Sequence, residues 1–182
     1  MEEKENKRKV SIDVVKANVF AFVIMIVSGV VFFVPYFLLW RENFSIQKIN
    51  SLEFLFLGIF MIVGSVLHEL IHGITFAYFA KGGWKTIKFG VMWKLLTPYC
   101  HCSEPLRKNE YILACMMPCI VLGIIPAIAA LFSGSFVLLF FGIVFISAAA
   151  GDIWMSILLV KEKSDCKVLD HPSEAGFYVI EE

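Results

Sequence analysis

Four apolar blocks organise the chain. The first, about residues 17–40, contains no charged side chain. At 1.5 Å per residue it is long enough to cross a hydrocarbon core of about 30 Å, so it predicts a transmembrane helix. The second, about 54–80, is apolar except for His68, Glu69 and His72. The third runs over about 111–132 and the fourth over about 136–160, and Asp152 is the acidic residue of that pair. Pro118, Gly123 and Pro126 predict a kinked or locally unwound third helix. Ser133, Gly134 and Ser135 suit a tight helical hairpin, which either crosses the bilayer or stays buried and stops short. Residues 161–182 read as a tail.

Between the second and third blocks the period changes. Ile87, Phe89, Val91 and Trp93 alternate with Lys88, Gly90, Met92 and Lys94, as in a half-buried strand. Two readings stay open: a short β-hairpin or re-entrant element, or an interfacial loop with Trp84 and Trp93 at headgroup level. No Pro/Gly/Ser-rich linker divides the chain, so 1–182 is expected to be one domain. The expected fold is an all-α membrane protein with about four transmembrane helices and a short β-hairpin or re-entrant element between helices 2 and 3.

Composition agrees with lipid as the solvent: 59% of residues are hydrophobic, 18 are Phe and only 18% are charged. With 16 basic and 16 acidic residues the net charge is zero and gives no reason to expect a nucleic-acid partner. The distribution of charge says more. Five basic residues precede the first block, two follow it, six lie between the second and third, none between the third and fourth, and three after the last. Fourteen of sixteen therefore fall on one side, which by the positive-inside rule is the cytoplasm, with both termini there in a multi-pass cell-membrane protein. The five cysteines are an odd count and suggest free thiols in a reducing compartment. The first apolar block is too long for a signal-peptide core and is expected to remain as an anchor.

His68-Glu69-Leu70-Ile71-His72 matches the H-E-x-x-H pattern. Histidines at i and i+4 project from one helical face and can bind the same Zn²⁺, while the glutamate between them can act on a water that the metal activates. Ionisable groups inside a membrane segment are costly, by about 2.5–3.5 kcal/mol on insertion scales, and mark functional sites. The second and fourth helices run the same way, and His68 and Asp152 fall at similar depths, about 21 and 24 Å from the outer ends. His68, His72 and Asp152 would then complete a three-ligand zinc site, leaving Glu69 as general base. Plainer readings stay open. The histidines could be buried and bonded to backbone or to Asp152, Glu69 could form a packing ion pair, and Asp152 could support a ligand histidine from behind. Cys100-His101-Cys102 could form a separate soft metal site, but reads better as a loop near the site's mouth. Cys115 and Cys119 read as small packing residues, His171 as part of a turn, and Glu104 and Glu110 as solvated.

HELIHG in one membrane helix, followed by an aspartate in AAAGDIW, resembles the core of the site-2 protease group of intramembrane metalloproteases. Together with PYCHCSEPL and DHPSEAGF, the HELIHG helix more closely resembles a bacterial family of small membrane proteins described as "putative zincin peptidases", over most of the chain from about Phe54. The resemblance implies that His68 and His72 are ligands, Glu69 the catalytic glutamate and Asp152 the aspartate ligand. The surroundings of Asp152 depart from the Asn-Pro-Asp-Gly run usual in the site-2 group, since Gly151 precedes it. In that group a β-like element after the H-E-x-x-H helix offers an edge to an extended substrate, and Lys85 to Lys94 occupies the corresponding place.

The function expected is a zinc-dependent intramembrane endopeptidase that cuts a membrane protein or peptide near the cytoplasmic face. A catalytically silent zinc-binding membrane protein that holds or regulates a partner is the alternative. A transporter is a third reading, weakened by four helices without an evident inverted repeat.

Overall fold

The computed structural model describes residues 6–42, 51–93, 97–171 and 176–181. In chain order these form β1 (Asn6–Ser11), α1 (Val14–Trp40), α2 (Ser51–Phe79), β2 (Ile87–Met92), β3 (Thr97–Cys102), β4 (Leu106–Arg107) and α3 (Lys108–Pro118). A π-helical turn (Cys119–Ile124) then leads into α4 (Ile125–Ser133), α5 (Phe136–Ala148), α6 (Ala150–Val160), β5 (Lys167–Asp170) and β6 (Gly176–Glu181). Among the described residues, three helical runs are long and apolar enough to cross a bilayer: Val15–Trp40, Leu55–Phe79 and Lys108–Ser133. The pair α5 and α6 makes a fourth if the two helices, bent by 47°, count as one span.

Contacts divide the chain into two units. The second comprises Val19–His68 and Pro118–Ala150. Its α4–α5 hairpin turns where the sequence indicates. Gly134 caps α4 at φ 70°, a left-handed conformation that costs glycine little. Ser135 then caps α5 by accepting the Leu138 N–H. α1 is tied to this turn by Tyr36, whose hydroxyl donates to the Gly134 carbonyl at 2.7 Å, and by Trp40, whose indole N–H donates to the Leu131 carbonyl at 3.0 Å. Small residues let the paired helices approach. A Cβ on Gly142 would stand 2.7 Å from the Ala127 nitrogen. In lipid, where apolar side chains gain little from leaving the solvent, such close packing is a principal source of helix association.

The first unit comprises Met1–Asn18, Glu69–Met117 and Gly151–Glu182. Here the all-α expectation needs correction. β2 and β3 form the antiparallel hairpin, with Ile87 opposite Cys102 and Phe89 opposite Cys100. A second, four-stranded sheet in the order β1-β6-β5-β4 joins the N-terminal strand to the segment read as a tail. β1 pairs with β6 from Asn6↔Glu181 to Ser11↔Gly176. Val168, Phe177 and Val179 on one face are buried with Phe76, Tyr111, Ala114 and Leu159 from α2, α3 and α6. The sheet escapes a sequence reading because its strands have two to six residues, and β1 meets its partner more than 160 positions away. The fourth apolar block is also corrected: Ala149 breaks it into α5 and α6. Gly151, the second residue of α6, is the weak helix former next to the break. The third block is interrupted by the π-helical turn, bracketed by the prolines that predicted a kink.

Gly142→Ala should press α4 and α5 apart and cost about 1–3 kcal/mol, as overpacking does. Thermal unfolding in detergent should show a lower midpoint, and an unchanged midpoint would contradict the close approach.

Candidate metal centre

α2 carries His68, Glu69 and His72 within one and a half turns, and both histidines are buried, 8% and 6% exposed. Four residues apart on an unbroken helix, the imidazoles leave it in the same direction. α3 supplies the partner that orients His72. Its Nδ1–H donates to the Ala114 carbonyl at 2.9 Å. A carbonyl only accepts, so Nδ1 carries a proton and Nε2 is the ring nitrogen turned toward the site. Ala114 is available for a sequence reason. Pro118, four residues on, has no N–H to complete the helical bond that the 114 carbonyl would otherwise accept.

The break at Ala149 places Asp152 in the first turn of α6, where the unpaired N–H groups and dipole of a helix start favour a negative charge. Asp152 Oδ1 lies 3.3 Å from His72 Nε2. A lone pair and a carboxylate oxygen at that separation repel unless a cation lies between them, either a proton or a metal ion. His68 adds a third donor on the same helix, and the ligand atoms of His68, His72 and Asp152 all lie within 4.8 Å of one another. Two imidazoles and one carboxylate are a donor set that catalytic zinc takes, with a position left for water. The residues therefore fit the metal, with the His72 ring already turned so that Nε2 faces the other donors.

The hairpin lies against the same helix. A Cβ on Gly73, next to His72, would stand 2.4 Å from Phe89 Cζ and 3.4 Å from Ile87 Cγ2, so the hairpin seats on α2 with the Phe89 ring against this glycine. Cys100 and Cys102, on the same strand face as each other, do not form a second centre. Among the described residues no other three of His, Cys, Asp and Glu come together as closely. Burial pushes both thiols up from their ordinary range, and the carboxylates of Glu69 and Asp170 push Cys100 further, so they remain thiols.

A family model described as "putative zincin peptidase" matches residues 61–167. The chain belongs to this family. The matched span holds His68, Glu69, His72 and Asp152, and membership in a zincin peptidase family supports a zinc metallopeptidase. No curated protein and no solved structure matches the chain.

Sequence reasoning singled out His68, His72 and Asp152, which the structure brings together, but not the residues that hold them. Ala114 has no chemical signature, though Pro118 four residues later was a signal for a freed carbonyl. Asp170, from DHPSEAGF, accepts the Cys102 N–H at 2.7 Å and the Tyr111 hydroxyl. Pro172–Ala175 of that motif, and Lys94 of the expected substrate edge, lie outside the described residues. His171 behaves as a turn residue, donating its N–H to the Gly176 carbonyl at 3.1 Å and stacking on Tyr178. Glu104, read as solvated, instead accepts the N–H groups of Lys81 and Gly82 just past α2.

Elemental analysis of detergent-purified protein should give about one zinc per chain. His68→Ala/His72→Ala should lose it and Asp152→Ala should hold it more weakly. Zinc content unaffected by these changes would remove the site as described.

Proposed function

We propose that this family member is a zinc-dependent intramembrane endopeptidase that cuts a membrane-associated protein near the cytoplasmic face. The observation that carries this reading is the convergence of Asp152 from α6 with His68 and His72, which lie either side of Glu69 on a helix long and apolar enough to span a bilayer. Zinc held there would supply Lewis acidity toward water and toward the scissile carbonyl. Glu69 takes the proton of the attacking water and returns it to the leaving amine. Ala114 holds the His72 ring so that it does not turn its protonated nitrogen toward the site.

An extended substrate segment needs a strand to pair with, because a helix hides its peptide bonds. The β2–β3 sheet has two strands, and β2 sits against α2 at Gly73, within reach of the glutamate's helix. The resemblance of HELIHG and AAAGDIW to the site-2 group implies the same use of this strand. Exposed Trp84 and Trp93 suit the headgroup region and favour cleavage at the membrane surface. The pairing of β1 with β6 supports having both termini on one side, and the basic residues assign that side to the cytoplasm.

Glu69→Gln should keep its zinc and lower turnover about 10²–10⁴-fold, the usual contribution of a general base, with uncut membrane substrate accumulating in cells. Zinc retained with no cellular difference between wild type and Glu69→Gln would favour the silent zinc-binding protein instead. A fluorescent protein fused at either terminus should fold and emit, as it does in the cytoplasm, and a periplasm-dependent phosphatase should stay inactive. The opposite pattern would invert the topology.

A further inference from the structure

Asp170 lies outside both the metal group and the matched family segment, yet it ties together the elements around the metal helix. Its side chain, 13% exposed, reaches out of β5. Oδ2 accepts the N–H of Cys102, the last residue of β3, at 2.7 Å. Oδ1 accepts the hydroxyl of Tyr111 in α3. His101 Nδ1 stands 3.8 Å from Oδ2. One turn along α3 from Tyr111 is Ala114, whose carbonyl holds His72. The Tyr111 ring also packs on Phe76 at 5.3 Å, and Phe76 in turn stacks on His72 at 6.1 Å. Asp170 thus reaches the ligand ring by two routes, through the α3 backbone and through a run of aromatic rings.

Packing alone does not call for a carboxylate here. Its neighbours on the same sheet face, Val168, Phe177 and Val179, are fully buried, and an apolar side chain would extend that core without the cost of burying a charge. Burial pushes the Asp170 carboxyl up, against the two donors that favour its charged form. A group kept at that cost, and bonded to two different elements, suits a role in fixing them relative to each other.

We infer that Asp170 is a positioning residue: by holding Tyr111 and the end of β3 it fixes α3 and the β2–β3 hairpin against α2, and so sets the orientation of the His72 imidazole. The inference rests on the metal-centre reading above. It makes the terminal sheet part of the site.

The test compares Asp170→Ala and Tyr111→Phe with Val168→Ala, which damages the same sheet face but leaves the carboxylate in place. Zinc affinity is measured by competition with a chromophoric chelator, and amide hydrogen exchange is followed in β3 and α3. Asp170→Ala and Tyr111→Phe should bind zinc about 10–100-fold more weakly, as loss of a supporting partner does, and should exchange faster at Thr97–Cys102 and in the first turns of α3. Val168→Ala should lower the melting temperature and leave zinc affinity unchanged. Wild-type affinity in folded Asp170→Ala, or an equal loss in Val168→Ala, would overturn the inference. If Asp170→Ala does not fold, Tyr111→Phe, which removes one hydroxyl, decides the matter on the same criteria. If the wild type binds no zinc, the metal reading fails on its own and exchange decides: faster exchange in Tyr111→Phe supports the coupling, and unchanged exchange overturns it.

Discussion

The hydrogen bond from His72 Nδ1–H to the Ala114 carbonyl is the contact on which the site depends. His72 is buried, so its ring stays where its hydrogen-bond partner holds it. With Nδ1 engaged, Nε2 is fixed on the side facing Asp152. The same bond joins α2 to α3 at the level of the donors. Removing the carbonyl's availability would therefore loosen both the ring and the helix pair, which is how supporting partners in metal sites commonly act.

The polar positions of the site were legible because the apolar background made them conspicuous. In a block where nearly every side chain suits lipid, His68, Glu69 and His72 stand out, as does Asp152 two helices later, and helical periodicity gave the two histidines one face. The hairpin was legible from the alternation Ile87-Phe89-Val91, although the sequence could not choose between a strand and an interfacial loop. The terminal sheet was not. Lys167–Asp170 and Gly176–Glu181 are too short to carry a convincing period, and their stability comes from pairing with β1 and packing on Phe76, Tyr111 and Leu159. Asp170 was hidden for the same reason, since a carboxylate in a tail reads as solvated until its donors are seen.

That sheet alters what the unit containing Glu69, His72 and Asp152 is made of. The family match ends at 167, before most of β5 and all of β6, and begins long after β1. Yet the buried face formed by these strands covers the same aromatic side chains that stack toward His72. Phe177 of β6 lies 6.2 Å from the Tyr111 ring, and the Asp170 carboxylate beside it in β5 bonds the Tyr111 hydroxyl, so these strands carry a polar tie to α3 that lies outside the motif.

Two backbone irregularities flank the site, and both follow from the economy of hydrogen bonds in an apolar medium. Leaving a main-chain group unpaired away from water costs several kcal/mol, so a break in a membrane helix persists only where something else satisfies it. Pro118 and the π-helical turn after it free a carbonyl, and His72 takes it up. The break at Ala149 exposes the N–H groups that open α6, and the Asp152 carboxylate lies in that first turn, within reach of their favourable field. A continuous helix in place of α5 and α6 would pair the N–H groups that now open α6, and a residue with an N–H in place of Pro118 would compete with His72 Nδ1 for the Ala114 carbonyl. The irregular backbone is thus a condition for assembling the donors, because a regular helix in lipid has no spare main-chain group to offer a ligand.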